Sequence, residues 1–436
     1  MTGDEIKEPE FRDQTQYVAT SSLKKLWKRS IGLAHGKTQA DLFAEAAQED
    51  KSTFSLAKDY LKIQIFQWVG HYLKSRFRPK WPFADYRAFE DDNGIYNLAA
   101  STRNPDPAEP VQIALAGDWG SGTEDAFDVG QSVNLGFPHY TIHLGDIYYV
   151  GTKKEIQENM LGGRVQWPLG YRASFALNAN HEMYSKGKGY FTHLLPALGI
   201  KGDHGQRASF FCLKNDHWLL IGLDTGYNSV GVPILEMIFR PDCRLHPQLM
   251  AWLQEEVRLQ DDQQRGVILL SHHHYYSQFE SAYNRPAQQL AQLLQRPALW
   301  FWGHEHRFAL YGKHATEKGQ LQVYGRCLGH GGLPIEDIAD EPRQGQKYQN
   351  GLVLFDKRER TRIGALEVPV GYNGYANLTF VGKRLTVEYR DTRQLLVTEK
   401  WEVGPGGVLK GVAIERHIDD EDLVLHEGAS LDDAIA

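Results

Sequence analysis

Cysteine is scarce in this chain. Three occur in 436 residues, Cys212, Cys243 and Cys327. That excludes the disulfide framework of small secreted domains and suits a reducing compartment, so the expected location is cytoplasmic. Long apolar runs are missing too: none approaches the ~20 residues of a membrane-spanning helix. Met1-Thr2-Gly3-Asp4-Glu5 has no basic stretch followed by an apolar one, so no signal peptide is expected. A basic excess is also absent. Lys and Arg number 48 against 55 Asp and Glu, a formal charge of -7, which argues against a general nucleic-acid binder. With 42% hydrophobic and 24% charged residues the composition is that of a globular chain. Its length allows one large domain with additions, or two domains.

Histidine is plentiful, with 18 copies, several placed just after apolar runs. In Trp300-Phe301-Trp302-Gly303-His304-Glu305-His306 an apolar run ends, a glycine turns the chain, and two imidazoles follow one residue apart. Residues i and i+2 of an extended segment point the same way, so both rings can enter one site. Neutral imidazole is a common ligand of transition metals.

Along the chain, residues 1–20 are polar. From Ser21, Leu23, Leu26, Trp27 and Ile31 form one helical stripe, with Lys24, Lys25, Lys28 and Arg29 around the rest. Over about 53–77, Leu56, Tyr60, Ile63, Phe66, Val69, Leu73 and Phe77 recur at helical spacing, until Arg78-Pro79-Lys80-Trp81-Pro82 breaks the pattern. The expected organisation is an N-terminal helical extension over 1–105, a catalytic core over 106–340, a β segment over 341–415 completing the fold, and an acidic solvated tail over 416–436.

From Val111 short apolar runs alternate with loops and helical segments, an α/β texture. Five runs end in chemistry: Gly117-Asp118, Gly145-Asp146, Asn178-Ala179-Asn180-His181-Glu182, Ser271-His272-His273-His274 and Gly303-His304-Glu305-His306. Ligands of open α/β sheets bind beyond the carboxyl ends of strands. Packing asks nothing of residues just past a strand, so this recurrence points to a site. Asp118, Asp146, Asn180, His272, His304 and His306, with a candidate phenol at Tyr149, make six or seven donors of mixed oxygen and nitrogen type. One ion takes four to six; this set suits two ions sharing a carboxylate. Such a pair clamps the attacking and leaving oxygens of an in-line displacement and makes hydroxide available near neutral pH. A phosphate ester answers that chemistry. His181 sits beside the donors without being needed as one, where a proton donor to the leaving alkoxide belongs; Glu182 is a candidate to orient it. Asp224, after another strand, reads as structural. Gly325-Arg326-Cys327-Leu328-Gly329-His330-Gly331-Gly332 reads as a glycine-rich loop able to cradle phosphate, with His330 lining the site or capping a turn.

These blocks resemble, in order, the five-block signature of the calcineurin-like metallophosphoesterases, over about residues 111–335. The resemblance implies a four-layer αββα sandwich of two mixed sheets. It implies Asp146 as a bridging ligand, Asn180, His272 and His304 on one metal, and Asp118 and His306 on the other. The first block lacks the family's histidine after Asp118. Gly145-Asp146-Ile147-Tyr148-Tyr149 is similar to the Gly-Asp-x-x-Tyr of purple acid phosphatases, which implies Tyr149 as a seventh ligand and a preference for ferric iron. Ala179 stands where glycine is usual. Placing Ser277 on the family's serine selects His272 among three adjacent histidines, with His273 or His274 left to contact substrate. The expected function is a binuclear phosphoesterase holding two Fe, Mn or Zn ions, in which a metal-bridging hydroxide attacks a small phosphate mono- or diester and His181 is the general acid. The alternative is an inactive binding or scaffold protein on the same fold.

Overall fold

The computed structural model describes residues 79–436 apart from 102–107, 163–164, 231–240, 316–320, 334, 336–341, 344–350, 364–365 and 420–422. The two helical stripes expected before residue 78 lie outside the described residues.

The apolar runs read from the sequence become strands buried on both faces, which is why they alternate so little. Val111–Ala116, Tyr140–His143 and Ala173–Ala176 pair in parallel. They continue antiparallel into Gly374–Val381, Arg384–Asp391, Leu395–Val403 and Leu409–Arg416, and end at Gly199–Ile200, giving eight strands. In a second, nine-stranded sheet Trp218–Gly222, Gly266–Ser271, Ala298–Trp302 and Gln322–Leu328 are parallel neighbours.

Side chains alternate across each sheet and thereby build the layers. Ile113, Leu115, Ile142 and Phe175 of one sheet meet Leu220, Ile268, Leu270 and Phe301 of the other in a shared core. On the outer face of the nine-stranded sheet, Leu219, Ile221, Leu269 and Trp300 pack with Leu249, Trp252 and Leu253 of helix Pro247–Glu255. Outside the other sheet, Ala114, Ala116 and Ala176 pack with Ala126, Val129 and Val133 of helix Glu124–Leu135. That helix starts at Thr123, whose side chain accepts from the Ala126 amide, and has Glu124 and Asp125 in its first turn, where the helix dipole favours negative charge. The result is the α/β sandwich of two mixed sheets between helices. No helix among the described residues is long and apolar enough to cross a membrane.

Two sequence expectations change. The tail is not simply solvated: Leu423–Leu425 adds an edge strand beside Leu352–Asp356, and Leu423 and Ala434 are fully buried. Acidic residues dominate its composition, but Leu423, Leu431, Ala434 and Ile435 supply an apolar set that packs against the core. The first half of the expected glycine-rich loop is strand, since Gly325 to Leu328 lie within Gln322–Leu328. Arg326 points into the core, pairs with Glu399 of the opposite sheet at 2.7 Å, and donates to the carbonyl of Ala434. Beyond it, the Gly331 amide donates to Gly117 and that of Leu333 to Asp118, so these amides are engaged within the fold.

Candidate metal centre

The parallel strands of both sheets deliver their carboxyl ends to one rim, and the connections there turn sharply. Asp118, Asp146 and His304 adopt positive φ of 60°, 73° and 69°. That conformation costs an L residue about 1–2 kcal/mol, and such strain concentrates at functional sites. Neighbours hold it in place. The Asp118 amide donates to the Gly145 carbonyl at 2.9 Å, and the His304 amide donates to Asp118 Oδ2 at 2.8 Å. Gly145 is required beneath them. Its φ is +103°, and a Cβ there would lie 2.9 Å from His272 Nδ1. Ala179 sits at φ -136°, so its methyl group introduces no strain.

One group of donors gathers around His272. Its Nε2 is 3.1 Å from Asn180 Oδ1, 3.2 Å from His304 Nδ1 and 3.3 Å from Asp146 Oδ2. Its Nδ1 is 3.0 Å from the Leu144 carbonyl. A carbonyl only accepts, so Nδ1 carries a hydrogen and Nε2 is the nitrogen turned to the group, where a cation can replace a proton. The second group gathers around Asp118. Its Oδ1 lies 3.4 Å from His306 Nε2 and 2.8 Å from the Tyr148 hydroxyl, which is 3.2 Å from His306 Nε2 and 3.4 Å from Asp146 Oδ2. Asp146 is common to both groups. Adjacent ligands of one ion, each about 2.0–2.2 Å from it, stand roughly 3.0–3.4 Å apart. The separations in both groups are of that size, so the residues fit a pair of cations sharing Asp146.

The electrostatics agree. Burial alone would favour neutral groups, yet the Asp146 carboxylate beside it pushes His272 up to about 9. Burial raises Asp146, but His181 and His272 more than offset it and hold its carboxyl well below the usual range. The field among these buried side chains favours positive charge between them.

The phenol that reaches the Asp118 group is that of Tyr148, where the spacing had pointed to Tyr149. Both tyrosines lie in the turn that follows Ile147, and the hydroxyl that meets Asp118 and His306 there belongs to Tyr148. Tyr149 contributes its backbone instead. Its carbonyl lies 2.6 Å from His181 Nδ1, and its amide donates to Glu155. The Tyr149 carbonyl therefore orients His181, the task assigned to Glu182. The His181 amide donates to Asp146 Oδ1 at 3.1 Å, while its Nε2 lies 3.8 Å from Asp146 Oδ2, flanked by the rings of Tyr148 and Tyr184. Glu182 is fully buried, neither of its carboxyl oxygens meets a hydrogen-bond partner among the described residues, and burial raises its pKa strongly.

Nearby histidines divide their work. His274 Nε2 is 2.9 Å from the Ser281 carbonyl and its Nδ1 is 3.4 Å from Glu305. Glu305 also accepts from Ser277 Oγ and Trp302 Nε1, which ties the His272–His274 turn to the His304–His306 turn. His330 offers only backbone to this region, its carbonyl accepting from Gly374 and Asn373. Asp224 accepts from Ser209, Asn178 and the Tyr227 amide, a structural role, and burial pushes it up to about 6.

The family model for calcineurin-like phosphoesterases matches residues 111–308, a span that contains every donor in both groups. Residues 111–308 are a calcineurin-like phosphoesterase domain. None of the curated proteins matches the chain. Solved structures show distant likeness. GAP50, described as the anchor in the inner membrane complex of Plasmodium, is 12% identical with a TM-score of 0.42, over 70% of this chain and 90% of its own. PhoD is 11% identical with a TM-score of 0.43, over 71% and 73%. A predicted phosphoesterase from Streptococcus pneumoniae is 11% identical with a TM-score of 0.22, over 70% and 98%. These likenesses are too distant to bear on what the phosphoesterase domain does here.

Proposed function

We propose that this protein is a metal-dependent phosphoesterase that hydrolyses a small phosphate mono- or diester. The observation that carries the reading is the pair of donor groups at ligand spacing, joined by Asp146. Asn180, His272 and His304 would hold one ion with Asp146; Asp118, His306 and Tyr148 would hold the other. The donor set of carboxylate, amide oxygen, imidazole and phenol suits Fe, Mn or Zn. Two ions so held would neutralise charge on phosphoryl oxygens and lower the pKa of bound water. The chain's own residues do the rest. The Leu144 carbonyl fixes the His272 tautomer, and the Tyr149 carbonyl takes the Nδ1 hydrogen of His181. With Nδ1 donating to that carbonyl, the doubly protonated ring of His181 can give its Nε2 proton to the leaving oxygen and return to the neutral form.

Metal analysis together with hydrolysis of nitrophenyl phosphate and bis(nitrophenyl) phosphate tests this. Two ions per chain and turnover of at least one ester are expected. Two ions with no turnover of any ester would point to a scaffold on the same fold. His181→Ala should keep both ions and lose roughly 10²–10⁴-fold in kcat; unchanged kcat would remove the residue from the proton transfer.

A further inference from the structure

Three histidines follow strand Gly266–Ser271, and the second has no task in the reading above. His273 is 2% exposed. One of its ring nitrogens belongs with nitrogens of His272 and His304 in a cluster whose atoms all lie within 4.8 Å of one another. Its ring centre is 4.6 Å from that of His304 and 5.1 Å from that of Tyr283. It thus borders the same side of the site as Asn180, His272 and His304.

Thr225, just past strand Trp218–Gly222, sets its state. The His273 amide donates to Thr225 Oγ1 at 3.1 Å, and His273 Nδ1 lies 3.1 Å from the same oxygen. Having accepted the amide hydrogen, the hydroxyl can turn its own hydrogen to Nδ1. Nδ1 then accepts and Nε2 carries the ring hydrogen. His272 is the opposite case, because its Nδ1 faces the Leu144 carbonyl and so carries a hydrogen, leaving Nε2 as the nitrogen a cation would take. In that arrangement the adjacent rings hold opposite tautomers, one suited to a cation and one to an anion.

We propose that His273 is a substrate-binding residue that donates its Nε2 hydrogen to a phosphoryl oxygen of the ester, and that Thr225 is the positioning residue that fixes this tautomer. The proposal rests on the phosphoesterase reading. A hydrogen bond to a charged oxygen corresponds to about 10- to 100-fold in affinity.

The test uses the full-length, metal-loaded chain with inorganic phosphate as the probe. Metal content and phosphate Kd are measured for the wild type, His273→Ala, His273→Gln, Thr225→Val and Thr225→Ser, with KM and kcat on nitrophenyl phosphate beside them. All should retain two ions. His273→Ala should weaken phosphate and raise KM about 10- to 100-fold. The amide donor of His273→Gln should recover part of that loss, Thr225→Val should shift KM the same way by less, and Thr225→Ser should match the wild type. Loss of an ion from His273→Ala or His273→Gln would overturn the proposal, because the residue would then be a ligand. Unchanged phosphate affinity with both ions present would overturn it too. A wild-type chain that binds fewer than two ions would instead sink the phosphoesterase reading beneath it.

Discussion

At the scale of single residues, the type of each donor was legible in the sequence and its orientation was not. Asp118, Asp146, Asn180, His272, His304 and His306 stand out because polar groups recur after apolar runs, and the structure gathers all six. Tyr148 was passed over for Tyr149, since the spacing of a motif counts positions and cannot show which ring turns inward. The two carbonyls that fix histidine tautomers, those of Leu144 and Tyr149, leave no mark in a sequence because every residue has one. The tyrosines give a sharp expectation. Loaded with ferric iron, the protein should absorb visible light through a phenolate ligand. Tyr148→Phe should abolish the band and Tyr149→Phe should retain it, as visible spectroscopy can show; the reverse pattern would return the ligand role to Tyr149.

At the scale of elements, the alternation of short apolar runs with loops announced parallel strands, and their ends announced the rim. The tightness of the connections was less visible. Gly303 reads as an ordinary turn glycine, yet a Cβ there would lie 2.6 Å from Asp118 Oδ2. Gly303→Ala should therefore displace that carboxylate and weaken the ion at the Asp118 and His306 group by about 10- to 100-fold, the scale of disturbed ligand support. Ala179→Gly, at a position with ordinary backbone, should leave ion binding near the wild-type value. Calorimetric metal titration of both variants distinguishes the effects. The helical stripes before residue 78 were equally legible as patterns, and they lie outside the described residues.

Across the whole molecule, the sandwich was expected from the family resemblance, whereas the interior polar groups that cross it were not. Arg326 and Glu399 come from opposite sheets and lie far apart in sequence, so nothing local marks them as partners. His330 is another such group: fully buried, both ring nitrogens without hydrogen-bond partners among the described residues, and depressed to about 3 by burial, with Arg358 adding to the effect. A depressed histidine stays neutral in the folded chain while the unfolded chain takes up a proton below its ordinary 6.5. Its contribution to stability is therefore complete above about pH 6.5 and is lost as pH falls toward 3, at about 1.4 kcal/mol per pH unit. His330→Leu should flatten the stability profile between these limits by about that slope, measured by urea unfolding at a series of pH values; an unaltered profile would mean the ring is protonated or solvated in the folded protein.

The shared Asp146 between two donor groups is the claim on which the functional reading rests. An anomalous-scattering map of metal-loaded crystals tests it most directly. The account predicts two peaks about 3.5–4 Å apart on either side of Asp146, one beside Asn180, His272 and His304 and the other beside Asp118, Tyr148 and His306. A single peak, or peaks away from Asp146, would contradict it.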